Sequence, residues 1–278
     1  MMKTFTKITL AGLFACAVLH GGCAPAAKVM QINTYPTAED AIRELGAGTL
    51  HAVVGDYAVM AYEARESAGQ LQVTGAQFNK ETLGIGVPKN APGLKDAVTD
   101  ALRRIMEDKT YSQTLIKWAI ALGKVPPPEA PANVPAVADV PQLADGTLTV
   151  GVELSYPPME FFDKEFGKEA GVDVELAGAL AQALGVEVAF VDLPFDSLVD
   201  EVAAGKVDIA LSTIAITDER AAKIDFIPYM SMGSGILVSA GNPHGIHSPE
   251  DLCGHPVGVQ ESAAQYAALQ SQPCETGK

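Results

Sequence analysis

Aromatic residues are scarce in this 278-residue chain, at 6% with a single Trp. Basic residues are few as well: 19 Lys and Arg stand against 34 Asp and Glu, a net charge of −15. They form no cluster, so the phosphate contacts of a nucleic-acid partner have no source. No apolar run reaches the roughly 20 residues that cross a bilayer. Of the five His, His20 precedes the body of the chain, His51 lies in a strand, and His244, His247 and His255 lie in Gly/Pro-rich loops. None sits in a nucleophile or metal motif, so neither catalysis nor a metal or other cofactor is expected. The hydrophobic fraction, 48%, is nevertheless too high for a disordered chain, and one or two domains are expected.

Residues 1–26 read as an export signal: Lys3 and Lys7 without an acid, the apolar run Ile8 to Leu19, then small residues. Leu19-His20-Gly21-Gly22-Cys23 resembles a lipobox with His20 in place of the usual Leu, making Cys23 a lipidation candidate; ordinary cleavage near Ala24-Pro25-Ala26 is the alternative. The expected location is therefore periplasmic or at the cell surface, with or without an anchor. Cys253 and Cys274, close in sequence in an exported chain and without zinc-ligand spacing, read as a disulfide.

Six of the 18 prolines fall between Lys124 and Gly146, a semi-rigid linker separating two segments. In the second segment the spacing of Val174, Leu176, Ala177, Leu180, Ala181 and Leu184 predicts a helix over Val172 to Leu184, stopped by Gly185. Strands at 148–152, 186–191 and 207–211 and a helix at 195–204 alternate with it, a pattern of α/β layers with parallel sheets. The first segment repeats the theme with a helix at 38–45, a strand at 50–54, a helix from Tyr57, and helices at 94–106 and 111–121. Phe195 to Ser212 echoes Ala38 to Asp56: helix, Gly, strand, then a polar residue where open α/β sheets bind ligands, which would set Asp56 and Ser212 across one cleft.

Several stretches resemble the bacterial extracellular solute-binding proteins of family 3, the amino-acid receptors of ABC importers. They are Leu148-Thr-Val-Gly-Val-Glu-Leu-Ser-Tyr-Pro-Pro-Met-Glu-Phe161, Gly171-Val-Asp-Val-Glu-Leu-Ala177, Asp208-Ile-Ala-Leu-Ser-Thr-Ile-Ala-Ile-Thr-Asp-Glu-Arg220, Asp225-Phe-Ile-Pro-Tyr229, Asp251-Leu-Cys-Gly-His-Pro-Val-Gly-Val-Gln260, Leu83-Gly-Ile-Gly-Val87 and Lys117-Trp118. Their order departs from the family's: the usual opening begins at Leu148, and the usual closing Lys117-Trp118 lies upstream. Joining Lys278 to Lys28 restores the order, as in a circular permutation; a fragment of a tandem array is the rival.

The resemblance implies a two-lobed, periplasmic-binding-protein-like α/β fold of type II, with crossing strands near Thr82 to Lys89 and Gly233 to Ala240. Lobe one takes 84–123 and 147–236, lobe two 28–83 and 237–278, with the linker at 124–146. It implies a monomeric receptor for an amino acid, handing it to a membrane ABC permease. A ligand-sensing module and a dehydratase-type enzyme are the alternatives on the same fold.

The resemblance makes Arg220 the grip on a ligand carboxylate and Asp56 the acceptor for its ammonium, although Asp56 also suits a helix N-cap. Ser212, Thr213 and the main chain of Ala215 would add polar contacts; Tyr156 and Phe195 would pack on the ligand, and Phe195 could equally be core. Glu153 would meet a basic or amide-bearing side chain. After Gln260 the family usually has Gly-Thr; here Glu261-Ser262-Ala263-Ala264-Gln265 follows, leaving the amide of Ala263 and the side chain of Gln265 as candidates.

Overall fold

The structure, a computed structural model, describes residues 29–120 and 125–274. Residues 1–26, Cys23, and the Lys278 and Lys28 ends lie outside the described residues. In chain order the elements are β1 (Gln31–Tyr35), α1 (Ala38–Gly46), β2 (Ala52–Asp56), α2 (Tyr57–Glu66), β3 (Leu71–Val87), α3 (Pro92–Glu107), α4 (Thr110–Lys117), β4 (Thr147–Val152), β5 (Ser155–Tyr156), β6 (Glu160–Asp163), β7 (Lys168–Ala170), α5 (Val172–Leu184), β8 (Glu187–Asp192), α6 (Leu198–Ala203), β9 (Ile209–Ala210), α7 (Asp218–Lys223), β10 (Asp225–Ser239), β11 (Pro256–Gln260) and α8 (Ala264–Ser271).

Eight strands form one sheet in the order β1-β11-β2-β10-β3-β9-β4-β8, and β5-β6-β7 form a small second one. At one end β1, β11 and β2 are parallel, and at the other so are β9, β4 and β8. The two long strands β3 and β10 pair antiparallel through the middle and reach into both ends, from Asp225 opposite Val87 to Ser239 opposite Leu71. This is the two-lobed α/β architecture with two crossing strands that the family resemblance implies, but the crossings are longer than the 82–89 and 233–240 read from sequence.

Local chemistry explains the helices. Thr37 caps α1, accepting a hydrogen bond from the Asp40 amide at 3.1 Å, and α1 buries Ala38, Ala41 and Leu45. Helix α5 has the predicted bounds and ends at Gly185, whose φ of +77° suits only a residue without a Cβ penalty. Gly171 before it has φ +121°, and a Cβ there would stand 2.3 Å from the Met159 carbonyl oxygen. Lys117 and the indole N–H of Trp118 both reach Glu175 of α5, at 2.6 and 3.1 Å, which ties α4 to that helix.

Three local readings differ. The helix read at 195–204 opens as a 3₁₀ turn, Phe195–Ser197, before α6. The strand read at 207–211 narrows to Ile209 and Ala210, because β9 meets β3 only at Gly86 and β4 only at Val150 and Gly151. The end of the Pro-rich stretch is not a free tether: Val140 and Leu143 are buried in the main core. Among the described residues no helix is long and apolar enough to cross a membrane.

Cys253 and Cys274 form the expected disulfide, 21 positions apart, pinning the chain after α8 to the turn before β11. A closed loop of that size stabilises by about 3 kcal/mol in the chain-entropy picture. Denaturant unfolding of Cys253→Ser, compared with the parent under oxidising conditions, is expected to show a loss of about that size, and a loss well under 1 kcal/mol would show the bridge to be idle.

Candidate functional site

The carboxyl ends of β2 and β11 from one lobe face those of β4 and β9 from the other. Open α/β sheets bind ligands at these ends. The pocket between them is lined by Asp56, Glu81, Leu83, Glu153, Tyr156, Phe195, Thr213, Ala215, Arg220, Gln260, Ala263, Ala264 and Gln265. Nine of the ten residues singled out from sequence are there.

Ser212 is the tenth, and it is fully buried behind the pocket. Its hydroxyl donates to Glu160 at 2.9 Å and accepts from the Glu153 amide at 3.0 Å, so it holds Glu153 instead of facing Asp56. Thr213 beside it has φ +50°. Its amide donates to Asp173 Oδ2 at 2.8 Å and its hydroxyl reaches Glu160 at 3.1 Å, while Tyr229 donates to the same Asp173 oxygen at 2.7 Å. Burial and the charge of Asp173 push Glu160 well above the carboxylate range, so Glu160 carries the proton of this acid pair. The motif stretches around residues 160, 173, 213 and 229 thus meet as one scaffold under the pocket floor.

Asp56 ends β2 and sits at the N-cap of α2, yet its side chain makes no capping bond. Instead it accepts from the Tyr156 hydroxyl at 2.8 Å and from Gln265 Nε2 at 3.2 Å. Burial, opposed by the Tyr156 bond and reinforced by Glu81, lifts it to about 7. Glu153 follows β4, accepts from Gln260 Nε2 at 2.7 Å, and burial lifts it too to about 7. Glu81 on β3 is raised by burial, with Arg220 pulling it down.

Among the described residues, Arg220 is the only cation lining the pocket. It lies on α7, whose Thr217 cap accepts the Arg220 amide at 3.3 Å. Its guanidinium donates to the Ala215 carbonyl and, across the cleft, to the Ser262 carbonyl, both at 2.7 Å, and lies 5.3 Å over the Phe195 ring. Ser262, with φ +62°, stands within the stretch that replaces the family's Gly-Thr. Among the described residues, three bridges made by side chains span the lobes: Arg220 to Ser262, Tyr156 to Asp56, and Gln260 to Glu153. They shrink the enclosed space to about that of one water molecule. Phe195 lines the pocket and also packs on the Leu198 cluster.

Glu81, Leu83, Gln260 and Ala264 were not singled out from sequence. Gln260 ends β11 as Asp56 ends β2, so the strand-end rule that found Asp56 would have found it. Glu81 carries no such signal, because its place in the pocket depends on the pairing of β3 with β10.

Residues 148–271, a little under half of the chain, match the family model described as bacterial extracellular solute-binding proteins, family 3. Over that segment the chain is similar to this family. The L-cystine-binding protein TcyJ of Escherichia coli is 39% identical over 115 residues, 41% of this chain and 43% of that protein. The arginine-binding extracellular protein ArtP of Bacillus subtilis is 37% identical over 118 residues, 42% and 45% of the two. The L-arginine-binding protein of Pseudomonas aeruginosa is 31% identical over 134 residues, 47% and 51%. The chain thus spans about half the length of these relatives. Among solved structures, the arginine-bound domain 1 of TmArgBP as its Phe57Trp mutant is 36% identical over 34% of this chain and 79% of that one, with a TM-score of 0.31.

The raised carboxyls fix a pH dependence. Unfolded, Asp56 and Glu153 titrate near 4; folded, near 7, so the folded state binds protons more tightly in between. Their contribution is full below about pH 4 and is lost as pH rises through about 7. The melting temperature of the ligand-free protein is expected to be higher at about pH 5.5 than at about pH 8, with Asp56→Asn reducing the difference; equal slopes in parent and variant would contradict the assignment.

Proposed function

We propose that this chain is an extracytoplasmic receptor that captures an amino acid with a cationic or amide-bearing side chain between its lobes and delivers it to an ABC importer. The observation that carries this reading is the charge pattern of the pocket: one guanidinium facing Asp56, Glu81 and Glu153. An α-amino acid brings one carboxylate, one ammonium and, in arginine, lysine or protonated histidine, a second cation. Arg220 would take the carboxylate with two parallel N–H donors. Asp56 would take the ammonium, Glu153 and Glu81 the side chain, with Tyr156 and Phe195 on its aliphatic part and Thr213, Ala215, Ala263 and Gln265 completing the wall. The two arginine-binding relatives agree with this charge pattern. Export, by the leader and with or without a lipid on Cys23, and action as a binder instead of an enzyme belong to the same proposal.

Calorimetry with the amino acids is expected to show binding of a cationic one and weakening by Arg220→Ala of about 2–4 kcal/mol, thirtyfold or more. A cationic ligand needs ionised carboxyls, so its affinity is expected to rise from about pH 5.5 to about pH 8, with protons released on binding. Binding of no amino acid, or an Arg220→Ala chain that binds as tightly as the parent, would sink the reading.

The segment order supports a permuted domain. β11 and β1 are parallel neighbours, and α8 follows β11. Joining Lys278 to Lys28 would make β11-α8-β1 an ordinary parallel crossover unit. With the lobe divisions at about 83 and 236, lobe one would be continuous and lobe two split. A chain rearranged to run 137–278 and then 28–123, which keeps the buried Val140 and Leu143, is expected to fold as a monomer with the same ligand preference; failure of that chain alone to fold or bind would favour the tandem-fragment reading.

A further inference from the structure

The sequence shows no metal motif, yet the fold gathers three of its five histidines. Strand β2 runs toward the cleft from His51, and β11 runs toward it from His255. β10 is antiparallel to them, so the loop after it, which carries His244, returns to the same end. All three imidazoles therefore lie at the pole of lobe two opposite the cleft. One ring nitrogen of each falls within 4.8 Å of the other two. His51 Nδ1 and His255 Nδ1 are 2.8 Å apart, and the His51 and His244 rings stack at 3.4 Å.

The frame around them is built. The His51 amide donates to the Pro256 carbonyl at 2.9 Å and the Gln31 amide to the His255 carbonyl at 3.0 Å, which fixes both backbones within the sheet. The His244 loop is clamped by Asn242, which exchanges two bonds with Ile246 at 2.7 and 3.0 Å. His244 itself is exposed and able to adjust, while His51 and His255 are half-buried. Cys253, two positions from His255, is held in its disulfide and offers no thiolate.

We infer that His51, His244 and His255 form a binding site for a late first-row divalent metal ion such as Zn²⁺, Ni²⁺ or Cu²⁺. Metal–imidazole bonds of about 2.0–2.1 Å place two nitrogens on a common ion about 2.9 Å apart at a right angle and about 3.3 Å apart in a tetrahedron. The His51 and His255 nitrogens already stand at the first spacing, sharing one ring proton that the ion would displace to solvent. A modest swing of the exposed His244 ring supplies the third ligand, and a water would fill the open position. An all-imidazole set excludes Mg²⁺ and Ca²⁺, which demand oxygen. Such an ion would join the ends of three adjacent strands, β11, β2 and β10, beside the disulfide and away from the solute pocket.

The test uses the full chain, purified through a tag free of histidine, stripped with chelator and titrated with Zn²⁺ alone, with Mg²⁺ as control. Calorimetry is expected to give one Zn²⁺ per chain with a Kd below about 10 μM. The melting temperature is expected to rise by about 5–10 °C once free Zn²⁺ is about 100-fold above Kd, with no response to Mg²⁺. His244→Ala, at an exposed loop position, is expected to melt like the parent without metal and to bind Zn²⁺ at least about tenfold more weakly. His247→Ala, three positions along, is the control and should change neither, since the His247 ring faces Thr74. No saturable Zn²⁺ binding below about 100 μM, a His244→Ala chain that binds like the parent, or equal sensitivity at His247 overturns the site.

Discussion

The pairing of β3 with β10 is the constraint on which everything else rests. Both strands run through both lobes, and their register shifts three times between Pro228 and Ile236. Bulges bend and twist a strand, and Pro228, which has no amide to give, sits at the first of these irregularities. The bend thus falls where the chain passes from one lobe to the other. Glu81 and Leu83, opposite Met232 and Met230 at this bend, also line the pocket. Hinge closure of periplasmic binding proteins concentrates large φ/ψ changes in a few residues; here the crossing strand itself carries a carboxylate into the pocket.

Behind that hinge, the polar floor is expensive to build. Glu160 and Asp173 are both buried, and two carboxylates in contact cannot both ionise at acceptable cost. A proton held on Glu160, with Ser212, Thr213 and Tyr229 donating to the pair, resolves the conflict. The arrangement also holds Thr213 in a left-handed conformation that it would not otherwise keep. The rigid floor fixes the end of β9, and with it the path to Ala215 and Arg220. A flexible pocket wall would not aim a guanidinium.

What was legible in the sequence follows from the range of the interaction. Val172 to Leu184 was readable as a helix because its apolar spacing and Gly185 are local signals. Asp56 and Arg220 were readable because a strand end and a family motif mark them. Glu81 was not, since nothing near it in sequence says which residues lie across the sheet. The histidine cluster was invisible for the same reason: His51 and His255 are 204 positions apart and meet only because β2 and β11 are neighbours. Ser212 was misplaced by the internal echo, which equated two strand ends whose neighbours differ: Asp56 faces the cleft, whereas Glu160 captures Ser212. The shortness of β9 and the burial of Val140 and Leu143 are likewise set by partners distant in the chain.

The Arg220–Ser262 contact bears on how the proposed ligand would be held. In the closed form one arm of the guanidinium is spent on Ala215 of its own lobe and the other on a carbonyl of the opposite lobe. A neutral carbonyl offers a weaker bond than a carboxylate, which can accept both arms and carries charge. Exchange of Ser262 for the proposed ligand's carboxylate would therefore favour the ligand, and Asp56 would gain an ammonium in place of the Tyr156 hydroxyl. Both exchanges convert partly neutralised buried groups into paired charges. The ligand-free protein can close on itself, with both guanidinium arms on neutral carbonyls and with carboxyls lifted to about 7; the proposed zwitterion would supply the charges that such a closure lacks. The affinity for the proposed ligand would then reflect the difference between two closed states, and the interlobe bridges that fill the empty pocket would set a threshold that a ligand lacking either charge fails to pass.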